Sequence, residues 1–432
     1  MACAIRAVCE NKENLAQTKS DLRKCYNLMD MVKSVRPYLK PLLAVVAFLL
    51  VVLYAISGRN AVCYHLPGLA IDLHQHNDTS MVSQFQELER RSRHLSTSCF
   101  NNDLLNATTR EKNARMFFHS KVYNVAYCKV PKVGSTFWTL LFTILDNGVN
   151  FGKKLLEENR DSIHRRQYTF FSSFEYVKSQ QDPTILPARD PYSRLFSAFI
   201  DKIYLPVRLN YNYVILSIQN KSVCPTNVSF QDFLQWIVNE TKAGKSSNQH
   251  WAPIYTICGS CEINAQYVVK QETFAKDIDV VLQRLNVSSE KYDFIMNTLE
   301  GTRIQSSLPG IVAQIFEGTS GSNVRRCMPW VEVTRRIWHS FQIQGYIRED
   351  RGYPQGTFDS IGDNLSPSLV SDLILAEIFK YPMPSEERQI QRENALKRAY
   401  EGVRKDVVDA IIDVYALDFS LYGYSNLPPN ER

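Results

Sequence analysis

The chain has 432 residues, of which 44% are hydrophobic and 22% charged, and its formal net charge is +6. The first 41 residues contain eight Lys or Arg and four acidic side chains, so this arm carries +4 of that charge. The rest of the chain is nearly neutral, which excludes binding of an acidic polymer through overall basicity and gives no reason to expect a nucleic-acid partner. There is also no internal repeat or low-complexity tract.

The first element along the chain is a run of fifteen uncharged residues from Leu42 to Ile56. An average membrane span needs about 20 apolar residues, but early secretory membranes are thinner and flanking side chains can extend out of them. The alternatives are a cleaved signal peptide and a buried core helix; a signal peptide normally begins much closer to the first residue. We therefore expect an uncleaved transmembrane signal-anchor at residues 42–56, after a cytosolic tail at residues 1–41.

Charges and glycosylation sequons on the two sides of this run predict its orientation. Eight cations precede it, whereas Arg59 is the only Lys or Arg in the thirty residues after it. This asymmetry predicts a cytosolic N-terminus and a luminal remainder. Every Asn-x-Ser/Thr sequon follows the run, in agreement with a luminal remainder. The sequons begin at Asn77, Asn106, Asn220, Asn227, Asn239, Asn286 and Asn364.

Two luminal regions follow. Residues 57–115 are polar, with little sustained apolar periodicity, and are predicted to form a stem. Residues 116–432 are long enough for one large α/β domain. Strand and helix signals alternate around both motifs described next, which predicts a mainly parallel sheet flanked by helices.

The first motif is the segment from Cys128 to Trp138, CKVPKVGSTFW. A β-branched and aromatic run precedes it and an apolar helical pattern from Ser135 follows, so a strand-loop-helix unit is predicted. Gly134 allows a tight turn, the helix N-terminus presents amide groups, and Lys132 adds a cation, a combination that binds anions. The phosphate loop of nucleotide triphosphatases has a different glycine and lysine spacing, which disfavours ATP or GTP. The alternative is a simple strand-to-helix turn with a serine N-cap.

The second motif is the segment from Thr184 to Tyr204, TILPARDPYSRLFSAFIDKIY. It is again a short apolar strand, a turn at Asp190-Pro191 and an amphipathic helix, since proline is tolerated in the first helical turn. Arg189 at the strand end and Ser197 in the helix could converge on a phosphate, the guanidinium as a bidentate donor and the hydroxyl as a single one. Asp-Pro alone commonly just begins a helix, but the order and spacing of the two motifs together are a strong signal.

With both motifs, the chain resembles the sulfotransferases that use 3′-phosphoadenosine 5′-phosphosulfate (PAPS), and more narrowly the Golgi carbohydrate sulfotransferases of the chondroitin/dermatan 4-O and HNK-1 group. The resemblance implies a P-loop-like sulfotransferase fold behind a single transmembrane helix, and a type II Golgi membrane protein with a luminal catalytic domain. It also implies PAPS as co-substrate, no metal, and a glycan acceptor. Two sets of donor-binding residues follow from it: Lys132, Val133, Gly134, Ser135, Thr136 and Phe137 for the 5′-phosphosulfate, and Arg189 and Ser197 for the 3′-phosphate.

Three further stretches are similar to the narrower family. They are the segment from His250 to Cys261, the segment Glu272 to Phe274, and the near-terminal segment from Asp418 to Tyr424. Ile200 stands where family members often have a polar residue, and residues 300–390 resemble nothing recognisable. The acceptor sugar and hydroxyl therefore cannot be deduced from the sequence.

Sulfuryl transfer to a hydroxyl needs in-line geometry, stabilisation of charge on the leaving phosphate and a base for the attacking oxygen. Lys132 is the predicted catalytic cation. His250 is the predicted base, with its pKa near the ordinary value of about 6.5; the alternative is a histidine that only hydrogen-bonds a loop, and Glu272 is the reserve candidate. Four dibasic pairs are candidates for contact with an acidic acceptor: Lys153-Lys154, Arg165-Arg166, Arg325-Arg326 and Arg335-Arg336.

Ten cysteines are present, and seven of them follow the predicted span. A luminal compartment favours disulfides among these seven, although their pairing cannot be deduced from the sequence. The Cys258-x-x-Cys261 spacing could also suggest zinc, but no second Cys-x-x-Cys or His pair completes a ligand set.

The sequence thus predicts a carbohydrate O-sulfotransferase that transfers sulfate from PAPS, by in-line displacement, to a galactosaminoglycan or a terminal glycoprotein sugar. A catalytically inert, membrane-anchored glycan-binding protein that retains the fold is the alternative. A luminal nucleotide kinase is a further rival, but the chain lacks its glycine and metal-ligand signature. The oligomeric state cannot be predicted.

Overall fold

The computed structural model describes residues 73–102, 116–157, 171–206, 211–212, 214–215, 228–245, 247–263, 265–300, 303–320 and 327–432. The chain divides into two compact units, residues 1–73 and 74–432, and the architecture below belongs to the second. Within the described ranges no helix combines the length and apolarity that crossing a membrane requires. The predicted tail and signal-anchor, residues 1–56, lie outside the described residues.

Five short strands form one sheet in the order β3-β1-β2-β4-β5. Strands β2, β4 and β5 are parallel, whereas β1 is antiparallel to β2 and to β3. The prediction of a mainly parallel sheet is therefore right for the strands that lead into the motifs and wrong for the other edge. Strand β1 is antiparallel to β2 because only the four-residue turn at 121–124 joins them, and so short a connection can link only antiparallel neighbours. The strands are β1 Phe117–Ser120, β2 Val125–Cys128, β3 Phe171–Ser172, β4 Thr184–Ala188 and β5 Ala265–Lys270.

Helices make up most of the remaining described structure. The α-helices are α1 Leu73–Asn101, α2 Ser135–Asn147, α3 Val149–Glu157, α4 Phe174–Gln180, α5 Pro191–Phe199, α6 Phe230–Lys242, α7 Ile254–Cys258, α8 Phe274–Arg284, α9 Ser289–Glu300, α10 Arg303–Thr319, α11 Trp330–Ile343, α12 Gln355–Ile361, α13 Pro367–Lys380, α14 Ser385–Glu401, α15 Lys405–Val414 and α16 Ala416–Tyr422. A π-helix, Ile200–Tyr204, extends α5, and short 3₁₀ turns occupy Gln271–Thr273, Gly362–Asn364 and Pro429–Glu431.

Both faces of the sheet are buried. Tyr127 belongs to an apolar cluster with side chains of α2 and α8, whereas its neighbours Ala126 and Cys128 belong to a second cluster with side chains of α4, α7 and α16. Successive strand residues point to opposite faces, so an unbroken apolar strand is expected where helices cover both. A third apolar cluster joins α5 and α6 to the C-terminal helices.

Helix α1 lies in the segment predicted to be a stem, and its weak apolar periodicity did not predict it. Two strong contacts hold it. Arg91, which is buried, forms an ion pair of 2.7 Å with the buried carboxylate of Asp277 in α8, and Cys99 forms a disulfide with Cys261. The second half of the helix is thus part of the folded domain.

The prediction of disulfides among the cysteines that follow the span is confirmed by Cys99–Cys261 and by a second bond, Cys128–Cys258. Cys128 ends β2 and Cys258 ends α7, so this bond ties the start of the first motif to the segment that follows His250. The two cysteines of the Cys-x-x-Cys spacing belong to different disulfides.

Candidate active site

The first motif forms the predicted strand-loop-helix unit. We call residues 129–134 the Lys132 loop; it joins β2 to α2 and is anchored by the fully buried side chains of Val130 and Val133. Gly134, not Ser135, is the N-cap of α2, and it makes no side-chain capping bond. The alternative of a serine-capped turn is therefore wrong, and the first intrahelical hydrogen bond runs from the Trp138 amide to the Gly134 carbonyl over 3.1 Å.

Backbone conformation and packing explain the glycine of this loop. Gly134 has φ of 68°, in the left-handed region that favours glycine. A Cβ there would lie 3.3 Å from the ring of Phe274 and 3.4 Å from Gln271 Oε1. Lys132 also has φ of 68°, which is uncommon for a residue with a Cβ and is typical of functional loops.

Phe274 explains one of the family-like stretches. Its ring makes edge-on contacts with Phe137 and Trp138, at centroid distances of 5.4 and 5.6 Å. Helix α8, which begins at Phe274, therefore supports the first turn of α2 and the glycine before it.

The second motif also folds as predicted. Strand β4 ends at Ala188, Asp190 caps α5 by accepting a 3.0 Å hydrogen bond from the Ser193 amide, and Pro191 occupies the first turn. The Arg189 guanidinium donates from Nε to the Ser193 hydroxyl over 3.0 Å. Ser197 lies one turn beyond Ser193 on the same face of α5.

Arg189 brings the two motifs together. Its Nη1 donates a 2.7 Å hydrogen bond to the carbonyl oxygen of Lys132. The contact follows from the topology, because β2 and β4 are parallel neighbours and their carboxyl ends lie at the same edge of the sheet. Burial lowers the pKa of Arg189, and the nearby carboxylate of Glu272 opposes this shift; an arginine nevertheless remains a cation.

Asp201 and Lys202 are site residues that the sequence analysis missed. Lys132 Nζ lies 2.9 Å from Asp201 Oδ2, and Lys202 Nζ lies 3.2 Å from the same oxygen. Both new residues lie in the π-helix that extends α5, and such segments are frequent at functional sites. The available signal was the Asp201-Lys202 pair near the end of the second motif.

His250 lies near these charges, in a turn of residues 247–252 that we call the His250 turn. Its Nδ1 lies 2.7 Å from Asn248 Oδ1, which also accepts from the His250 amide. An amide oxygen only accepts, so Nδ1 carries the proton and Nε2 carries the lone pair. Burial, together with the smaller effects of the positive charges of Lys202 and Lys132, lowers the pKa of His250 to about 2. The prediction of an ordinary pKa is therefore wrong, and the imidazole is neutral.

Arg194 joins the Lys132 loop to the His250 turn. This fully buried residue of α5 donates to the carbonyl of Pro131 in the loop and to the carbonyls of Gln249 and Ala252 in the turn, over 3.2, 2.9 and 2.6 Å. A buried guanidinium needs such acceptors, and three carbonyls provide them. The spacing of the two motifs did not indicate this role.

Glu272, the reserve base, lies beside the second motif. Its Oε1 accepts from the Asp190 amide over 3.1 Å and its Oε2 accepts from the Tyr424 hydroxyl over 2.9 Å. The near-terminal stretch also positions Asp418, whose carboxylate accepts from the amides of Ile254 and Tyr255 at the start of α7. These carboxylates therefore make structural contacts that tie separate segments together.

The dibasic pairs differ from one another. Lys153 and Lys154 are exposed on α3. Arg335 and Arg336 are both paired with Glu332, at 3.1 and 2.9 Å, and thus have an internal counter-ion. The pairs at 165–166 and 325–326 lie outside the described residues.

The assembled site combines cations, a helix N-terminus and a neutral imidazole at one edge of the sheet. Such a set can hold an anionic group, stabilise charge on it and accept a proton nearby. Within the part of the chain that the structure describes, no three His, Cys, Asp or Glu side chains are grouped to hold a metal ion.

Residues 115–317 match the sulfotransferase family. Carbohydrate sulfotransferase 12 of Mus musculus is 30% identical over 200 residues, which cover 39% of this chain and 48% of that protein. Carbohydrate sulfotransferase 12 of Xenopus laevis is 27% identical over 199 residues, 39% of this chain and 47% of that protein. Carbohydrate sulfotransferase 10 of Mus musculus is 22% identical over 284 residues, 57% of this chain and 75% of that protein. The chain thus spans about half the length of the first two curated relatives, and no solved structure matches it.

Proposed function

We propose that this chain, which belongs to the sulfotransferase family, transfers the sulfuryl group of PAPS to a hydroxyl group of a glycan. One observation carries the proposal: the 2.7 Å hydrogen bond from Arg189 to the Lys132 carbonyl joins two anion-binding motifs at one edge of the sheet. A single phosphate site would need one such motif, whereas PAPS has a 5′-phosphosulfate and a 3′-phosphate. The names of the relatives support a carbohydrate acceptor.

In this proposal, Lys132 and the amides at the start of α2 bind the 5′-phosphosulfate, and Arg189 and Ser197 bind the 3′-phosphate. The acceptor oxygen forms a bond to sulfur while the bond from sulfur to the bridging phosphate oxygen breaks, so that adenosine 3′,5′-bisphosphate leaves. Lys132 stabilises the negative charge that grows on this bridging oxygen. The acceptor proton passes to Nε2 of His250, the nitrogen that carries the lone pair.

With so low a pKa, His250 would be a weak base in the empty site. Its role as the base therefore depends on the negative charge of the bound donor. Lys202 and Lys132 contribute to the lowered pKa of the empty site. A phosphosulfate near these lysines offsets their positive charge, and a nearby anion favours the protonated form of an imidazole. Donor binding is therefore expected to raise the basicity of His250 at the time when a base is needed.

The proposed location is the Golgi membrane, with the segment 42–56 as signal-anchor and the catalytic domain luminal. The two disulfides support an oxidising compartment. For the acceptor we propose a chondroitin- or dermatan-type galactosaminoglycan or a terminal sugar of a glycoprotein. The exposed Lys153-Lys154 pair on α3 offers positive charge for the first of these.

The test is transfer of radiolabelled sulfate from PAPS by the full chain to a panel of glycans, with Lys132→Ala as the matched variant. We expect label on at least one glycan, and almost complete loss of turnover in Lys132→Ala with retained folding, because the ammonium acts mainly on charge that develops during transfer. Activity of Lys132→Ala within a few-fold of the wild type would exclude the role assigned to this lysine. An inert glycan-binding protein would instead bind glycans without binding adenosine 3′,5′-bisphosphate.

A further inference from the structure

Three charged side chains share one place in the proposed donor site. Asp201 Oδ2 lies 2.9 Å from Lys132 Nζ and 3.2 Å from Lys202 Nζ, and the side chains are 15%, 13% and 18% exposed, respectively. All three are thus largely removed from water, where charges interact more strongly than at a surface. Lys132 reaches Asp201 across 69 positions of the chain, so this contact is a product of the fold.

The carboxylate is unexpected in a site for an anion. Asp201 contacts the same ammonium group that the proposed function assigns to the phosphosulfate, and it adds negative charge next to a ligand that is itself strongly negative. An asparagine would give a more positive site and tighter binding of the donor and of the product nucleotide. A feature that opposes binding needs a reason in the reaction cycle, and release of the anionic product provides one.

We propose that Asp201 and Lys202 are positioning residues that exchange Lys132 between two partners. In the empty site, Asp201 holds Lys132. When the phosphosulfate enters, Lys132 turns to the donor and Asp201 keeps Lys202 as its counter-ion, so that no carboxylate is left buried without a partner. After transfer, Asp201 takes Lys132 back and thereby helps adenosine 3′,5′-bisphosphate to leave. This inference rests on the proposed function of the site.

Such an exchange requires one counter-ion that stays with Asp201 and one that can leave it, and the geometry provides both. Lys202 is adjacent to Asp201 in the π-helix, so its contact with the carboxylate does not depend on the Lys132 loop. Lys132 is on a different element and its flexible side chain reaches Asp201 from there. Lys202 is therefore the permanent counter-ion and Lys132 the exchangeable one.

The experiment is a double-mutant cycle with Asp201→Asn, Lys202→Met and the double variant, in which the dissociation constant for adenosine 3′,5′-bisphosphate is measured by calorimetry on the full chain. Asp201→Asn should lower this constant by roughly threefold to tenfold, because a like charge is removed from the site. Lys202→Met should raise it by a similar factor, since Asp201 then loses the counter-ion that allows it to release Lys132. In the Asp201→Asn background, Lys202→Met should change it by less than about twofold, because the effect of Lys202 is exerted through Asp201.

Kinetics give a second readout. In Asp201→Asn, KM for PAPS and kcat should fall together, because donor and product are both held more tightly; damage to the fold would raise KM. The matched control is the exposed pair Lys405 and Asp409 on α15, 3.1 Å apart, where Asp409→Asn and Lys405→Met should leave the dissociation constant unchanged. Asp201→Ser replaces Asp201→Asn if the latter fails to fold.

The outcomes separate the two proposals. Unchanged or weaker nucleotide binding in Asp201→Asn overturns the exchange. An equal effect of Lys202→Met in both backgrounds also overturns it, because Lys202 would then act on the nucleotide directly. Failure of the wild-type chain to bind adenosine 3′,5′-bisphosphate overturns the proposed function, and the exchange with it.

Discussion

The part of the domain built on the sheet and the helical C-terminal part contribute in different ways. The proposed site residues, from Lys132 to His250, all lie in the first part and within the family match at 115–317. The C-terminal residues 327–432 supply supporting contacts to the elements that carry the site. The difference shows that the chemistry is encoded in short local motifs, whereas the rigidity of those motifs depends on distant residues.

The supporting contacts span long stretches of the chain. Asp418 accepts from the amides at the start of α7, 164 positions earlier. Arg432 pairs with Asp190 at the N-terminus of α5 over 2.7 Å, 242 positions apart. The Tyr415 hydroxyl donates to the carbonyl of Trp251, next to His250. Variants in the two parts are therefore expected to fail in different assays.

The largest effect that tests this division is expected for His250→Ala. A general base contributes roughly 10²–10⁴-fold to the rate, so turnover should fall by this factor while the dissociation constant for adenosine 3′,5′-bisphosphate stays unchanged. The exposed His94 of α1 provides the control, as His94→Ala should keep full turnover. Near-normal turnover of His250→Ala would move the role of the base to another residue.

Arg189→Ala should affect donor binding. Loss of a hydrogen bond to a charged group costs roughly 1.5–3 kcal/mol, which corresponds to about a tenfold to 150-fold rise in the dissociation constant for adenosine 3′,5′-bisphosphate. Arg189→Lys keeps the charge but not the fork of donors, and should lie between the wild type and Arg189→Ala. Unchanged affinity in calorimetric titration would contradict the assignment of Arg189 to the 3′-phosphate.

Asp418→Asn tests the supporting part. An amide can replace only one of the two acceptor oxygens that bind the Ile254 and Tyr255 amides, so the free energy of unfolding should fall by roughly 1–3 kcal/mol. KM for PAPS should remain near the wild-type value. Denaturant unfolding measures the first quantity, with the exposed Asp413→Asn as control. Lost turnover without lost stability would argue that the C-terminal part acts in the chemistry itself.

The sequence predicted what local patterns and neighbouring strands determine. Both strand-loop-helix units were predicted from periodicity and turn residues, and their convergence follows from parallel pairing of β2 and β4. The contact of Asp201 with Lys132 and that of Arg194 with two separate loops depend on how α5 packs, and no local pattern records it. Helix α1 was missed because its two strong anchors, Arg91 and Cys99, are single residues on an otherwise polar helix.

His250 of the first part and Asp418 of the C-terminal part titrate in opposite senses. The folded state lowers the pKa of His250 from 6.5 to about 2 by burial, so acidification below pH 6.5 protonates only the unfolded chain and destabilises the fold. Burial raises the pKa of Asp418 from 3.8 to about 6, so acidification below pH 6 protonates the folded chain first and stabilises it. Between about pH 6 and pH 4 the two contributions should cancel.

A variant that lacks one of these two groups should therefore show the effect of the other on the pH dependence of the free energy of unfolding. Asp418→Asn removes the group whose protonation stabilises the folded chain. The free energy of unfolding of this variant, relative to the wild type, should therefore fall by about 1.4 kcal/mol for each unit by which the pH is lowered from 6 to 4. His250→Asn removes the destabilising term, so its relative stability should rise by about the same amount per unit as the pH falls below 6.5. Denaturant unfolding at half-unit pH steps gives both slopes, and the difference from the wild type cancels the other titrating groups. Parallel curves for the wild type and His250→Asn would mean that the imidazole titrates normally in the folded chain, and that Lys132 and Lys202 do not act on it.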